Sequence, residues 1–118
     1  MASVEKEFMG ITTNDCFLQG RVIGDPKVEV DKFAFFVLRT KEQELGENGA
    51  WASIIVDIPI ITEDKAKIKM ISTYIKNGRE LRVHAYYKSW TVDGKQQHAF
   101  FPKKIQLGRK KWETAGER

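Results

Sequence analysis

Only one stretch of this 118-residue chain carries the period of a helix, and the segments on either side of it alternate as strands do. Ile68, Ile71 and Ile75 recur at i, i+3 and i+7, so they line one face of a helix. Thr62 stands where a cap would hold Glu63 and Asp64 at the positive end of the helix dipole, and Asn77-Gly78 supplies a left-handed stop. The spacing predicts a helix over residues 63–77. Ahead of it lie three strand-like runs. The first, CFLQGRVI at 16–23, ends on Gly24-Asp25-Pro26, where proline pushes the preceding residue out of the helical region and a turn is expected. Lys27–Val30 reads as a short continuation. KFAFFVLRT at 32–40 is rich in aromatic and β-branched residues and makes the second strand. The charged, glycine-bearing stretch 41–49 is expected to be a loop, and WASIIVDI at 51–58 the third strand, closed by Pro59. After the helix, residues 79–90 and 97–107 flank Val92-Asp93-Gly94-Lys95, whose Asp-Gly pair favours a tight hairpin.

Three strands, one helix and two strands is the element order of the OB-fold, an all-β, five-stranded Greek-key barrel with its helix between strands 3 and 4. A generic α+β sheet shares that order, because sequence does not give the order of strands in space. The length suits one domain, expected at 15–108, with an N-terminal arm at 1–14 and a short basic tail at 109–118. A single cysteine, Cys16, excludes an internal disulfide framework. No run of about 18 apolar residues and no basic-then-apolar leader is present, so no membrane association is expected and the cytoplasm is the expected compartment.

Charge is unevenly distributed. Residues 1–59 carry 6 Lys and Arg against 10 Asp and Glu, whereas residues 60–118 carry 14 against 6, so the second half would attract a polyanion. Chemistry on that partner is not expected. His84 and His98 sit on strands without a cysteine or carboxylate at zinc-ligand spacing, and no nucleophile elbow or phosphate-cradling glycine loop is present. Neither metal nor cofactor is therefore expected.

Parity sorts the fourth strand into two faces. Leu81, Val83, Ala85 and Tyr87 form an apolar set, and Arg82, His84, Tyr86, Lys88 and Trp90 form the other. Rings interleaved with cations suit a single nucleic-acid strand, since bases stack on the rings while cations sit beside phosphates. The same face also fits an ordinary solvated strand. On the third strand Trp51 and Ser53 oppose Ala52, Ile54, Val56 and Ile58, which would either expose Trp51 to a ligand or pack it under the 41–49 loop. Arg21 on strand one, Arg39 on strand two and Lys95 at the hairpin complete the candidate contacts.

Four segments in order give the chain a resemblance. Phe17–Val28 with its Gly-x-x-x-Gly-Asp-Pro turn, Ala50-Trp51 opening strand three, Ile71–Leu81 with Tyr-x-x-x-Gly, and Tyr87–Phe100 with Lys-x-Trp-x-x-x-Gly resemble the bacterial and phage single-stranded DNA-binding proteins over roughly residues 15–107. The resemblance implies an OB barrel, stacking by Trp51 and Trp90, single-stranded DNA as partner with RNA as an alternative, and a homodimer or homotetramer. Two departures stand out. The family's tryptophan at the end of strand two has no counterpart around Arg39–Glu44, and the acidic C-terminal tip that recruits other proteins is replaced by a basic end with Trp112, as expected of a phage-encoded or primosome-type relative. The competing class is an OB-like module for protein partners or sugars.

Overall fold

A computed structural model describes residues 12–109. In chain order it contains β1 (Cys16–Glu29), β2 (Phe33–Leu45), β3 (Trp51–Thr62), α1 (Lys65–Tyr74), β4 (Glu80–Val92) and β5 (Lys95–Leu107). The strands close into a barrel in the order β1-β2-β3-β5-β4, with antiparallel pairs everywhere except β3–β5, which meet in parallel at Ile60↔Phe100. This is the OB-fold expected from the element order.

One strand does the work of two in closing the barrel. β1 pairs with β4 from Cys16 to Arg21 and with β2 from Arg21 to Glu29. The Gly24-Asp25-Pro26 cluster is therefore a bulge inside one long bent strand, where the register shifts between Ile23 and Lys27, and not a turn between two. Gly24 takes φ of 76°, a left-handed value that glycine adopts without a Cβ clash. The segment after α1 pins this bend: Asn77 Oδ1 accepts from Gly24 N at 2.9 Å, Asn77 N donates to Asp25 Oδ1 at 3.1 Å, and Gly78 N donates to Val22 O at 2.7 Å.

Those contacts also explain why the helix is shorter than its sequence period. α1 stops at Tyr74, and Ile75 is extended while still donating to Ile71 O, because Asn77-Gly78 is engaged with β1. At the other end the cap is Asp64, which accepts from Lys67 N at 2.9 Å, and Thr62 instead accepts from Asp64 N. The predicted stripe of Ile68, Ile71 and Ile75 is buried, closing one end of a core built on Val22, Phe36, Leu38, Ile60, Leu81 and Val83. Burying each such side chain contributes about 1.5–3 kcal/mol.

Two strands run further than their composition suggests. β2 continues through Lys41–Leu45 and β3 through Ile61 and Thr62, because residues 34–45 and 51–62 pair without a shift in a single long ribbon. The loop is reduced to 46–50. Pro59 sits within β3, whose other flank is joined to β5 at a single bridge, so a missing donor there interrupts little of the ladder. Asp93 and Gly94 both take positive φ, 50° and 77°, which makes the expected two-residue turn with Val92 opposite Lys95. Tyr87 departs from the expected core face, with 44% of its surface exposed, because it stands at the barrel's last rung, where its partner Phe100 bridges to β3 and packs on the core while the Tyr87 ring meets Phe100 edge-on at 5.5 Å. Asn14 caps its backbone instead, accepting from Tyr87 N at 3.0 Å and donating to Tyr87 O at 2.7 Å.

Three surface carboxylates are held below their ordinary range. Asp15 is lowered by hydrogen bonds from Lys103 and then His84, Asp57 by Arg39, and Glu80 by Arg109. Groups with lowered folded values contribute stability in full above their unfolded values of about 4, and that contribution is lost as pH falls through the lower folded values. The urea midpoint is thus expected to be flat between pH 5 and 8 with respect to these groups and to drop below about pH 4. A midpoint that rises on acidification would show that these pairs do not set the acid limb.

Candidate nucleic-acid interface

The Asp93-Gly94 turn fixes which side chains meet across the β4–β5 hairpin. With Val92 opposite Lys95, Trp90 falls opposite Gln97 and Tyr86 opposite Phe101. The Tyr86 and Phe101 rings stack at 5.7 Å, and Trp90 meets Phe101 edge-on at 5.8 Å. Lys88 Nζ lies 5.0 Å over the Phe101 ring and Lys103 Nζ 5.9 Å over Tyr86. Each is within the range in which a cation is attracted to a ring face. Ala99, opposite Lys88, is buried although it stands outside the core cluster, so these rings and stems cover the backbone beneath them.

The cluster opens onto a groove shared with the barrel wall. Trp90, Phe101 and Lys88 line it from the hairpin, Phe33 and Ile61 from β2 and β3, and Lys32 and the carboxylate of Glu63 from just outside those strands. Ile61 is the end of a long row. Because Ile58, Ile60 and Thr62 point into the core, alternation puts Ile61, Pro59, Asp57, Ile55, Ser53 and Trp51 on the outer face. Their partners on β2 confirm the side: Arg39 donates to both Asp57 oxygens, at 2.8 and 3.0 Å, and Gln43 Nε2 donates to Ser53 Oγ at 2.9 Å. Trp51 is 68% exposed at the far end, beside Leu45. It lies ten residues from Ile61, a distance of about 33 Å along a strand.

The same alternation separates charge in the ribbon. Lys41, Gln43 and Leu45 share the Trp51 face, while Glu42 and Glu44 pair with Ile54 and Ala52 on the other. Residues 41–45 of the expected charged loop are therefore strand, with one face free of carboxylates.

Not every predicted contact joins this face. Tyr86, Lys88 and Trp90 do, with Lys95 exposed at the hairpin tip and Trp51 at the ribbon tip. Arg39 lies between the two tips but is engaged by Asp57. Arg21 is its register neighbour, 3.8 Å from Glu80 and donating to Gly78 O at 3.1 Å. Arg82 and His84 belong to a second patch on β1, β4 and β5, which Lys103 joins to the Tyr86 ring. There the Phe17 ring, 79% exposed, stacks on His84 at 4.5 Å, His84 Nε2 and Lys103 Nζ each lie 2.6 Å from Asp15 Oδ1, and Arg82 Nε donates to Gln19 at 3.2 Å.

Sequence reasoning missed Phe101, Phe33, Ile61 and Lys103. Phe101 was within reach: the two-residue turn gives every opposed pair from Val92 back to Ala85 a residue sum of 187, which brings Tyr86 to Phe101. Lys103 was not, since it is the extra residue of a bulge that shifts the register between His84 and Ala85.

No protein-family model and no curated protein sequence matches the chain. Solved structures do. The Plasmodium falciparum SSB in complex with ssDNA is 25% identical, superposes with a TM-score of 0.68, and is matched over 83% of this chain and 95% of its own. A deletion mutant of the single-stranded DNA binding protein from Thermus aquaticus is 17% identical with a TM-score of 0.67, over 82% of this chain and 51% of that one. The mitochondrial single-stranded DNA binding protein Rim1 of S. cerevisiae is 12% identical with a TM-score of 0.59, over 84% and 98%. These likenesses establish the barrel and its topology.

Proposed function

We propose that this chain binds single-stranded DNA without sequence preference and performs no chemistry on it, holding single strands open during replication or recombination. The observation that carries this reading is the continuous outer face from Trp51 along β3 to the Trp90–Phe101–Tyr86 cluster. Stacking platforms at its two ends, with lysines beside them and the ribbon's glutamates on the reverse, suit a strand whose bases are unpaired. The likeness to an SSB solved with ssDNA adds support. A duplex would find little here, because its bases are already stacked on one another. RNA offers the same rings and phosphates and is distinguished only by its 2′-hydroxyls.

The test is a titration of oligo-dT against poly-U and duplex DNA, read by tryptophan fluorescence. Quenching by oligo-dT is expected, with duplex a weak competitor. Lys32, Lys41, Lys88 and Lys95 are exposed lysines along the path, Lys32 lying 3.1 Å from Glu29, and Lys103 is held by Asp15. Four contacts at about −0.7 each give a log–log salt slope of about −3 per protomer. Equal competition by duplex would reduce the surface to a general polyanion sink and end the stacking reading.

Self-assembly belongs to the same proposal. From Cys16 to Gly20, β1 is paired with β4 on one flank, and its pairing with β2 begins only at Arg21. Among the described residues no strand covers the other flank of that segment. An open edge of this kind pairs readily with a second copy. Light scattering at micromolar concentration is expected to give a dimer or tetramer, and a monomer would refute pairing through β1.

A further inference from the structure

We infer that Asp57 stands in for a strand phosphate at Arg39, so that a bound strand must displace it and the free protein holds its affinity below what the face could deliver. This rests on the strand-binding reading above. Asp57 lies on the outer face of β3, six residues from Trp51 and four from Ile61, which places it in the interior of the path between the two aromatic platforms. Its two oxygens take both arms of the Arg39 fork, at 2.8 and 3.0 Å. Carboxylate and phosphate present the same paired oxygens to a guanidinium, so the two compete for one geometry.

The pair is open to such competition. Its side chains are 43% and 44% exposed, and an ion pair so exposed contributes little to the fold, so the barrel does not depend on it. Hydrogen bonds from Arg39 hold the Asp57 carboxyl below its ordinary range, so the pair is net neutral at pH 7. Lys41, two residues along the same face, lies about 7 Å further on. Freeing Arg39 would give the path two neighbouring cations, whereas leaving Asp57 in place sets an anion against the backbone it must accommodate.

The substitution that tests this is Asp57→Asn, which keeps the size and removes the charge. Its affinity for oligo-dT is expected to rise about five- to tenfold in 0.1 M salt, as one charge-assisted contact is gained. The salt slope should steepen by about 0.7. Glu42→Gln makes the same charge change on the reverse of the ribbon and should leave the slope where it was. The double variant Arg39→Gln/Asp57→Asn should bind with the wild-type slope, because it removes a cation already neutralised. An Asp57→Asn variant that binds no tighter, with an unchanged slope, overturns the inference. So does a gain equalled by Glu42→Gln, which would make the effect one of net charge. Failure of the underlying reading is distinguished by Trp90→Ala: if that variant also binds normally, the face itself is wrong. Should Asp57→Asn fold poorly, the Arg39 Nε–H resonance of the wild-type protein decides, shifting on addition of oligo-dT if Asp57 is displaced and staying fixed if it is not.

Discussion

Gly20→Ala is expected to cost this barrel more stability than any other single methyl group added to a described strand glycine. The residue sits where β1 leaves β2 for β4, opposite Leu81, one position from the Arg21↔Arg39 pair. A Cβ there would fall well inside van der Waals contact of the Arg39 carbonyl oxygen, 3.0 Å from its carbon and 3.2 Å from Thr40 Cγ2. Those neighbours are mostly backbone, so relief requires the crossing itself to widen. Overpacking of this kind costs about 1–3 kcal/mol and sometimes more. In a domain of this size each kcal/mol lowers the melting temperature by roughly 4–8 °C, so a drop of about 4–24 °C is expected. Gly24→Ala is the comparison. That glycine has open space around it but φ of 76°, so alanine meets only the left-handed penalty of about 1–2 kcal/mol. If Gly20→Ala melts with the wild type while Gly24→Ala does not, the close approach of β1 to β2 is not what fixes the crossing.

That crossing illustrates what the sequence could and could not reveal. The order of elements, the isoleucine stripe of α1 and the Asp-Gly hairpin were legible because each is a local pattern with a local cause. The Gly24-Asp25-Pro26 cluster has the local chemistry of a turn, yet Asn77 and Gly78, over fifty residues away, hold it as a bend within a strand. Residues 41–45 are charged and so resemble a loop, and they become strand because Trp51–Ile55 lie opposite them. The parity rule placed Leu81, Val83 and Ala85 correctly in the core and failed at Tyr87, because parity names a face without saying where the barrel ends. For the candidate site the aromatic residues were recoverable from parity and from the hairpin register. The charged ones were not, since whether an arginine is free depends on partners such as Asp57 and Glu80 that only the fold brings near.

Trp51 and Trp90 make the largest prediction about binding. Each lost stack is expected to cost about 1–3 kcal/mol, or roughly 5- to 150-fold in affinity for oligo-dT. Trp51 is 68% exposed and appears in none of the ring pairs among the described residues, so Trp51→Ala should leave the melting temperature unchanged. Trp90 is half-buried against Phe101, so Trp90→Ala is best paired with Phe101→Ala, which should weaken binding for the same reason. The two tryptophans lie too far apart to share partners, and effects at such separations add. Trp51→Ala/Trp90→Ala should therefore lose about 2–6 kcal/mol. Additivity carries the mechanistic content. If one strand runs along β3 and touches both platforms, each substitution lowers the affinity of a single site and the free energies sum. Two separate strands, one on each hairpin, would instead leave each single variant with half the binding stoichiometry and an unaltered affinity at the remaining site. A halved stoichiometry in either single variant would break the continuous path and, with it, the place assigned to Asp57 between the platforms.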